Sequence, residues 1–189
     1  MSRLHYYAAL LFSAACAAVL LGGGRAHGSL PAIPGSPEAW FYAVKPYCNS
    51  LEAELVLGGN PPPPGVRGTG FAAACLALAG RIDEARARIL ALPQADRYQA
   101  AGVVFEVGHP VADAGDDRSA GPIMGLVVEF WPNHYMALYH AGMAHWAVGS
   151  PEPARGYLTR FLAEYKVDRF KPDGWVSNAR RVLERIDSP

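Results

Sequence analysis

Chemistry-bearing residues concentrate between 109 and 121, His-Pro-Val-Ala-Asp-Ala-Gly-Asp-Asp-Arg-Ser-Ala-Gly. Three carboxylates, a histidine and an arginine interrupt a chain otherwise rich in alanine and leucine there. His109, Asp113, Asp116 and Asp117 are the nitrogen and oxygen groups a divalent ion takes as ligands, and a carboxylate in such a loop is also the type of group that does acid–base work. The spacing Asp-x-x-Asp-Asp lacks the alternating acidic ligands of a calcium loop. Acids at this density also cap helices or stay solvated, so structural capping is the first reading and a metal or small-ligand site the alternative. Arg118, beside two aspartates, is expected to pair locally.

Other chemistry is weaker. His134, His140 and His145 are separated by six and five positions, which does not set two of them on adjacent turns of one helix face, and no His-Glu-x-x-His occurs. A zinc site built from these three alone is not expected. Gly68-Thr-Gly70-Phe-Ala-Ala73 mimics a dinucleotide fingerprint, but four prolines precede it where a strand is required. There is no phosphate-binding loop and no Gly-x-Ser-x-Gly nucleophile. The expectation is therefore a protein without a catalytic site of its own and without a cofactor.

The elements that hold these residues read as helices. The chain has 189 residues, 51% of them hydrophobic, with a mean hydropathy of +0.05, enough for one ordinary core. Ser36-Pro37-Glu38 starts a helix, with serine accepting from free amides, proline tolerated in the first turn and glutamate at the positive end. Trp40, Phe41, Val44 and Tyr47 give it an apolar face. A second segment carries Leu51, Leu55 and Leu57 and ends at Gly58-Gly59-Asn60, before the stiff run Pro61 to Pro64. From Val66 an internal repeat emerges: Gly80-Arg-Ile-Asp-Glu-Ala85, Gly115-Asp-Asp-Arg-Ser-Ala120 and Gly149-Ser-Pro-Glu-Pro-Ala154, with alanines 35 and 34 residues apart. An apolar helical run flanks each fragment on both sides. A period near 34 with a glycine turn between helices means stacked helical hairpins.

At this point the sequence resembles the tetratricopeptide repeat family over about residues 66 to 168. Gly149 and Ala154 match its turn glycine and its small inter-helix residue. Gly142 matches the small residue of the first helix, Leu138, Leu158 and Phe161 match further apolar positions, and Pro132 matches the closing proline. The resemblance implies an all-α, right-handed stack of antiparallel hairpins with repeats at 66–99, 101–134 and 135–168. Outside it, the residues themselves give an opening hairpin at 37–59 and, from the three- and four-residue spacing of Trp175, Ala179, Val182, Leu183 and Ile186, a last helix at 173–187 expected to cap the stack. The resemblance also implies a partner-binding groove lined from first helices, here by Phe105, His109, Met136, Tyr139, Met143 and Trp146, suited to a protein or peptide. The second repeat departs from the pattern. Pro110 and Pro122 would each remove an amide and clash with the preceding turn, so its first helix is expected to stop near Gly108 and the next to start from a Ser119 cap, leaving an enlarged acidic loop between them.

The N-terminus reads as an export signal. Arg3 precedes the apolar run from Ala8 to Leu21, and small residues follow up to Ala26. Fourteen apolar residues fall short of the roughly 20 that span a bilayer, so a cleaved leader over 1–26 is the first expectation and a membrane anchor the alternative. A linker at 27–36 follows, and the destination is periplasmic or extracellular. Without the leader, two arginines fewer, the chain holds 15 basic against 17 acidic side chains, a balance that gives no reason to expect nucleic acid. Cys48 and Cys75 remain, able to form a disulfide in an oxidising compartment or to lie as small buried hydrophobes.

Overall fold

The computed structural model describes residues 35–166 and 174–188; the leader expected over 1–26 and most of the linker lie outside them. All described residues fall within a single contact unit, Pro31–Pro189. Among them are nine α-helices, two single 3-10 turns and no strand.

The first pair of helices, α1 (Pro37–Val44) and α2 (Ala53–Gly59), forms the opening hairpin. Ser36 caps α1 through its hydroxyl, which accepts from the Ala39 amide at 3.2 Å. Trp40, Phe41 and Val44 point inward, and Phe41 stacks on Phe71 at 4.7 Å. The expectation for the next segment needs correction. Ala53, Val56 and Leu57 are its buried residues, while Leu51 and Leu55 are 85% and 60% exposed. Asn49 makes a turn before α2, its side-chain oxygen accepting from the amides of Leu51 and Glu52, so Leu51 lies outside the helical register.

Three hairpins follow: α3 (Val66–Leu78) with α4 (Ile82–Leu90), α5 (Arg97–Asp113) with α6 (Asp117–Phe130), and α7 (Tyr135–Ala147) with α8 (Pro151–Glu164). Each neighbour packs on the next: α3 on α4 and α5, α5 on α6, α6 on α7, and α7 on α8. The turns repeat almost identically. Gly80, Gly115 and Gly149 sit at φ +76°, +77° and +78°, a region costly for residues with a Cβ. Each donates to the carbonyl three residues back while the following residue reaches five back, as from Gly115 to Ala112 at 3.0 Å and from Asp116 to Val111 at 3.2 Å, the closing motif that satisfies the last free carbonyls of a helix. Ala85, Ala120 and Ala154 are fully buried. Close approach is equally strict on the first helices, where a Cβ on Gly108 would meet Ile123 at 2.5 Å and one on Gly142 would meet Leu158 at 2.6 Å.

Burying Leu138, Leu158, Phe161, Ile123 and Leu126 to 1% or less supplies about 1.5–3 kcal/mol for each side chain. The final helix, α9 (Gly174–Asp187), packs on α8 and α7 and buries Val176, Ala179 and Val182. It is the expected terminal cap, with Trp175, Leu183 and Ile186 half-buried. Among the described residues, no helix is long and apolar enough to cross a membrane. The glycines of the apparent nucleotide fingerprint are packing positions: a Cβ on Gly68 would overlap the Pro63 carbonyl oxygen at 1.8 Å, and one on Gly70 would meet Val103 at 2.8 Å.

Candidate functional site

The second repeat differs most from expectation. Helix α5 does not stop near Gly108 but runs through Pro110 to Asp113, and α6 starts at Asp117. The enlarged loop does not exist, and a turn of the same form as in the other repeats takes its place. The reason lies in where the prolines face. Pro110 and Glu106, whose carbonyl loses its usual amide donor, are both exposed, and so are Pro122 and Arg118. Water can satisfy the freed carbonyls, and the ring of each proline projects away from the core. The N-cap of α6 is Asp116, whose carboxylate accepts from the Ser119 amide at 3.2 Å, in place of Ser119 itself.

Continuity of α5 rearranges the chemistry. With the helix unbroken, His109 and Asp113 are one turn apart on the same face. Across from them stands His140, from the middle of α7. His109 Nε2 and His140 Nε2 lie 3.1 Å apart, and Asp113 Oδ1 is 3.5 Å from the first and 4.0 Å from the second. The two imidazoles are half-buried and the carboxylate is exposed. Aromatic contacts hold the rings: His109 lies on Phe105 at 4.8 Å, and His140 meets Trp175 of α9 edge-on at 5.9 Å. Burial lowers the His140 pKa, His109 lowers it further, and Asp113 opposes both. Neutral imidazole is thus the favoured form of His140 at neutral pH.

Asp116 and Asp117 do not join this group. The first is engaged as a cap, and the second has its pKa raised by burial and then by Asp116. Arg118 is exposed and, among the described residues, makes no ion pair with the flanking aspartates. The three histidines of α7 and its cap diverge as their spacing demands. His134 is buried at the start of α7, with Nδ1 accepting from the Ala137 amide at 3.2 Å; burial lowers its pKa. His145 stacks on Tyr157 at 5.5 Å, and burial lowers its pKa as well.

The groove residues separate into two sets. Phe105 and Tyr139 are buried, at 8% and 7% exposure, while His109, Met136, Met143 and Trp146 are half-buried. Phe105 is covered by His109 and His134. Tyr139 lies under Trp175, with the rings 5.1 Å apart and nearly parallel, and its hydroxyl accepts from Asn178 at 3.4 Å. The protein's own last helix thus covers one edge of the first-helix face.

Two features escaped sequence reasoning. His140 was visible only as one of three scattered histidines, because its partner is 31 residues away on another hairpin. The signal that could have found it was the i, i+4 pair His109 and Asp113, hidden by the expected break at Pro110. A concavity of about 470 Å³ also opens over the glycines of α6, Gly121 and Gly125, walled by Arg86, Glu129, His145 and Arg160. Its guanidinium groups are engaged, Arg86 with Glu129 at 2.7 Å and Arg160 with the Pro132 carbonyl at 2.8 Å.

Cys48 and Cys75 are joined as a disulfide that ties the opening hairpin to α3. Compared with family models, with curated proteins and with solved structures, the chain matches none.

Proposed function

We propose that this chain is an exported adaptor of the tetratricopeptide-like type, which binds a protein or peptide partner along the face of α7 and performs no chemistry of its own. One observation carries the reading. From Tyr135 to Ala147, helix α7 has no Asp, Glu, Lys or Arg in thirteen positions. A helix apolar all round is normally buried all round, yet Met136, Met143 and Trp146 on the side away from the core remain half-exposed. Methionine and tryptophan adapt to many shapes and anchor interfaces well. An amphipathic helix laid along this strip is the partner chemistry that fits. The disulfide supports export, since such bonds persist in oxidising compartments, and the near-balanced charge gives no support to nucleic acid.

The test is a photoreactive side chain placed at Met143 or Trp146, with the exposed Arg88 of α4 as control, in cells that make the protein. The expected outcome is a discrete heavier adduct from 143 and 146 and none from 88. A charge at the strip, Met143→Glu with the probe at 146, should abolish the adduct while the protein still unfolds in one cooperative transition. No adduct from the strip sinks the adaptor reading, and an adduct of twice the chain's mass replaces it with a chain that assembles with copies of itself.

A further inference from the structure

We propose that His109, Asp113 and His140 form a binding site for one divalent transition-metal ion of the zinc type, clamping the end of α5 to the middle of α7. The inference is independent of the docking strip and stands on geometry. The three ligand atoms form a triangle with sides of 3.1, 3.5 and 4.0 Å. The circumcentre of that triangle lies about 2.1 Å from each atom, matching zinc–nitrogen bonds of roughly 2.0–2.1 Å and zinc–carboxylate bonds of roughly 2.0–2.2 Å. An ion at that point would lie in the plane of its three ligands, and the tetrahedral arrangement of zinc needs ligand atoms about 3.4 Å apart, so Asp113 Oδ1 must close on His140 Nε2 from 4.0 Å, a movement open to the exposed Asp113 side chain.

The donor set selects the class of ion. Two imidazoles and one carboxylate suit zinc and its transition-metal neighbours, whereas magnesium and calcium call for oxygen-rich shells. Without an ion, two ring nitrogens at 3.1 Å satisfy one another only if one donates and the other accepts. Binding requires the donor ring to move its proton from Nε2 to Nδ1, leaving both rings neutral and both Nε2 lone pairs directed at the metal. No proton need leave the protein.

Position supports the same conclusion. His109 and Asp113 come from successive turns of one helix, so their spacing is set by the α-helical rise and not by a flexible loop. His140 comes from the next hairpin, held by its contacts with Trp175 and Tyr139. Rigid elements keep ligands at bonding geometry better than loops do. Asp113 is exposed and the rings are half-buried, so solvent reaches the group from the Asp113 side, where water or an incoming donor group can complete a shell to which the protein gives three ligands.

The full chain, stripped with chelator, should be titrated with Zn²⁺ and with Co²⁺, reading stoichiometry by calorimetry and coordination by the visible cobalt spectrum. One ion per chain is expected, with Mg²⁺ and Ca²⁺ failing to compete. Zinc at a hundred times its dissociation constant should raise the unfolding midpoint by about 5–10 °C. His140→Ala and Asp113→Asn should each weaken binding by more than the roughly 10–100-fold typical of changes outside the ligand shell, while Asp117→Asn leaves it intact. Asp113 is exposed, so Asp113→Asn decides the matter even if His140→Ala fails to fold. No zinc binding by the parent, or equal binding by Asp113→Asn, overturns the proposal.

Discussion

At the residue scale, His134 shows how one side chain couples packing to pH. Its ring is buried between Phe105 and Trp131, and its Nδ1 accepts the Ala137 amide at the start of α7. Protonation would charge a buried ring and remove that acceptor, and burial accordingly lowers its pKa below the ordinary 6.5. In the unfolded chain the ring titrates normally. Above about pH 6.5 both states are neutral and stability is independent of this group. Below it the unfolded state takes up a proton that the folded state refuses, so stability falls with falling pH until the folded pKa is reached. His140 and His145, also lowered, act in the same direction. Urea unfolding in chelator should thus give a lower midpoint at pH 5.5 than at pH 7.5. His134→Asn, which keeps a good cap and cannot titrate there, should show a smaller drop between the two. An equal drop in the variant would assign the acid sensitivity elsewhere.

At the element scale, α5 and α6 decide how the site forms. A proline in a helix interior costs about 3 kcal/mol relative to alanine, a cost that by itself would end α5 near Gly108. The rule fails here because Pro110 and Glu106 face water, so the unpartnered carbonyl is hydrated and the hairpin packing outweighs the local penalty. Pro110→Ala should restore the missing bond. After allowing for the roughly 0.4–1 kcal/mol by which proline restricts the unfolded chain, the variant should gain about 2–2.6 kcal/mol, read as a higher urea midpoint at unchanged slope. A loss of stability would mean that the turn at Gly115 depends on a distortion the proline creates. The same helix marks the limit of sequence reasoning. The repeat was legible because its glycines and alanines are dictated by local backbone and close packing, whatever the rest of the chain does. The site was half legible: His109 and Asp113 stood among the candidates, but Asp116 was grouped with them although it is a cap, and His140 was not, because cross-hairpin pairing has no local signature. The aromatic groove was blurred for a related reason, since only tertiary packing reveals that Trp175 covers Tyr139.

At the scale of the whole molecule, stability is uneven along the stack. The repeats bury long helices against both neighbours, whereas α1 and α2 have only 8 and 7 residues, too few to persist alone. Their side chains are divided: Trp40, Phe41 and Val44 are buried, but Tyr42 and Leu55 are 84% and 60% exposed, and Leu51 in the connection between the two helices is 85% exposed. The Cys48–Cys75 bond compensates by closing a loop over a separation of 27 residues, which on chain-entropy grounds contributes about 3–4 kcal/mol. Much of that restraint falls on one hairpin, so its loss should appear first there and not as uniform weakening. Replacing both cysteines with serine should lower the global stability by this amount. It should also speed amide exchange in residues 37–59 well before exchange rises in α5 to α8. Equal exchange in the bonded and unbonded proteins would mean that the packing of Trp40 and Phe41 against α3 holds the opening hairpin by itself. Faster exchange confined to the hairpin would establish it as a separately stapled cap, with the repeats as the stable platform that carries the α5–α7 face.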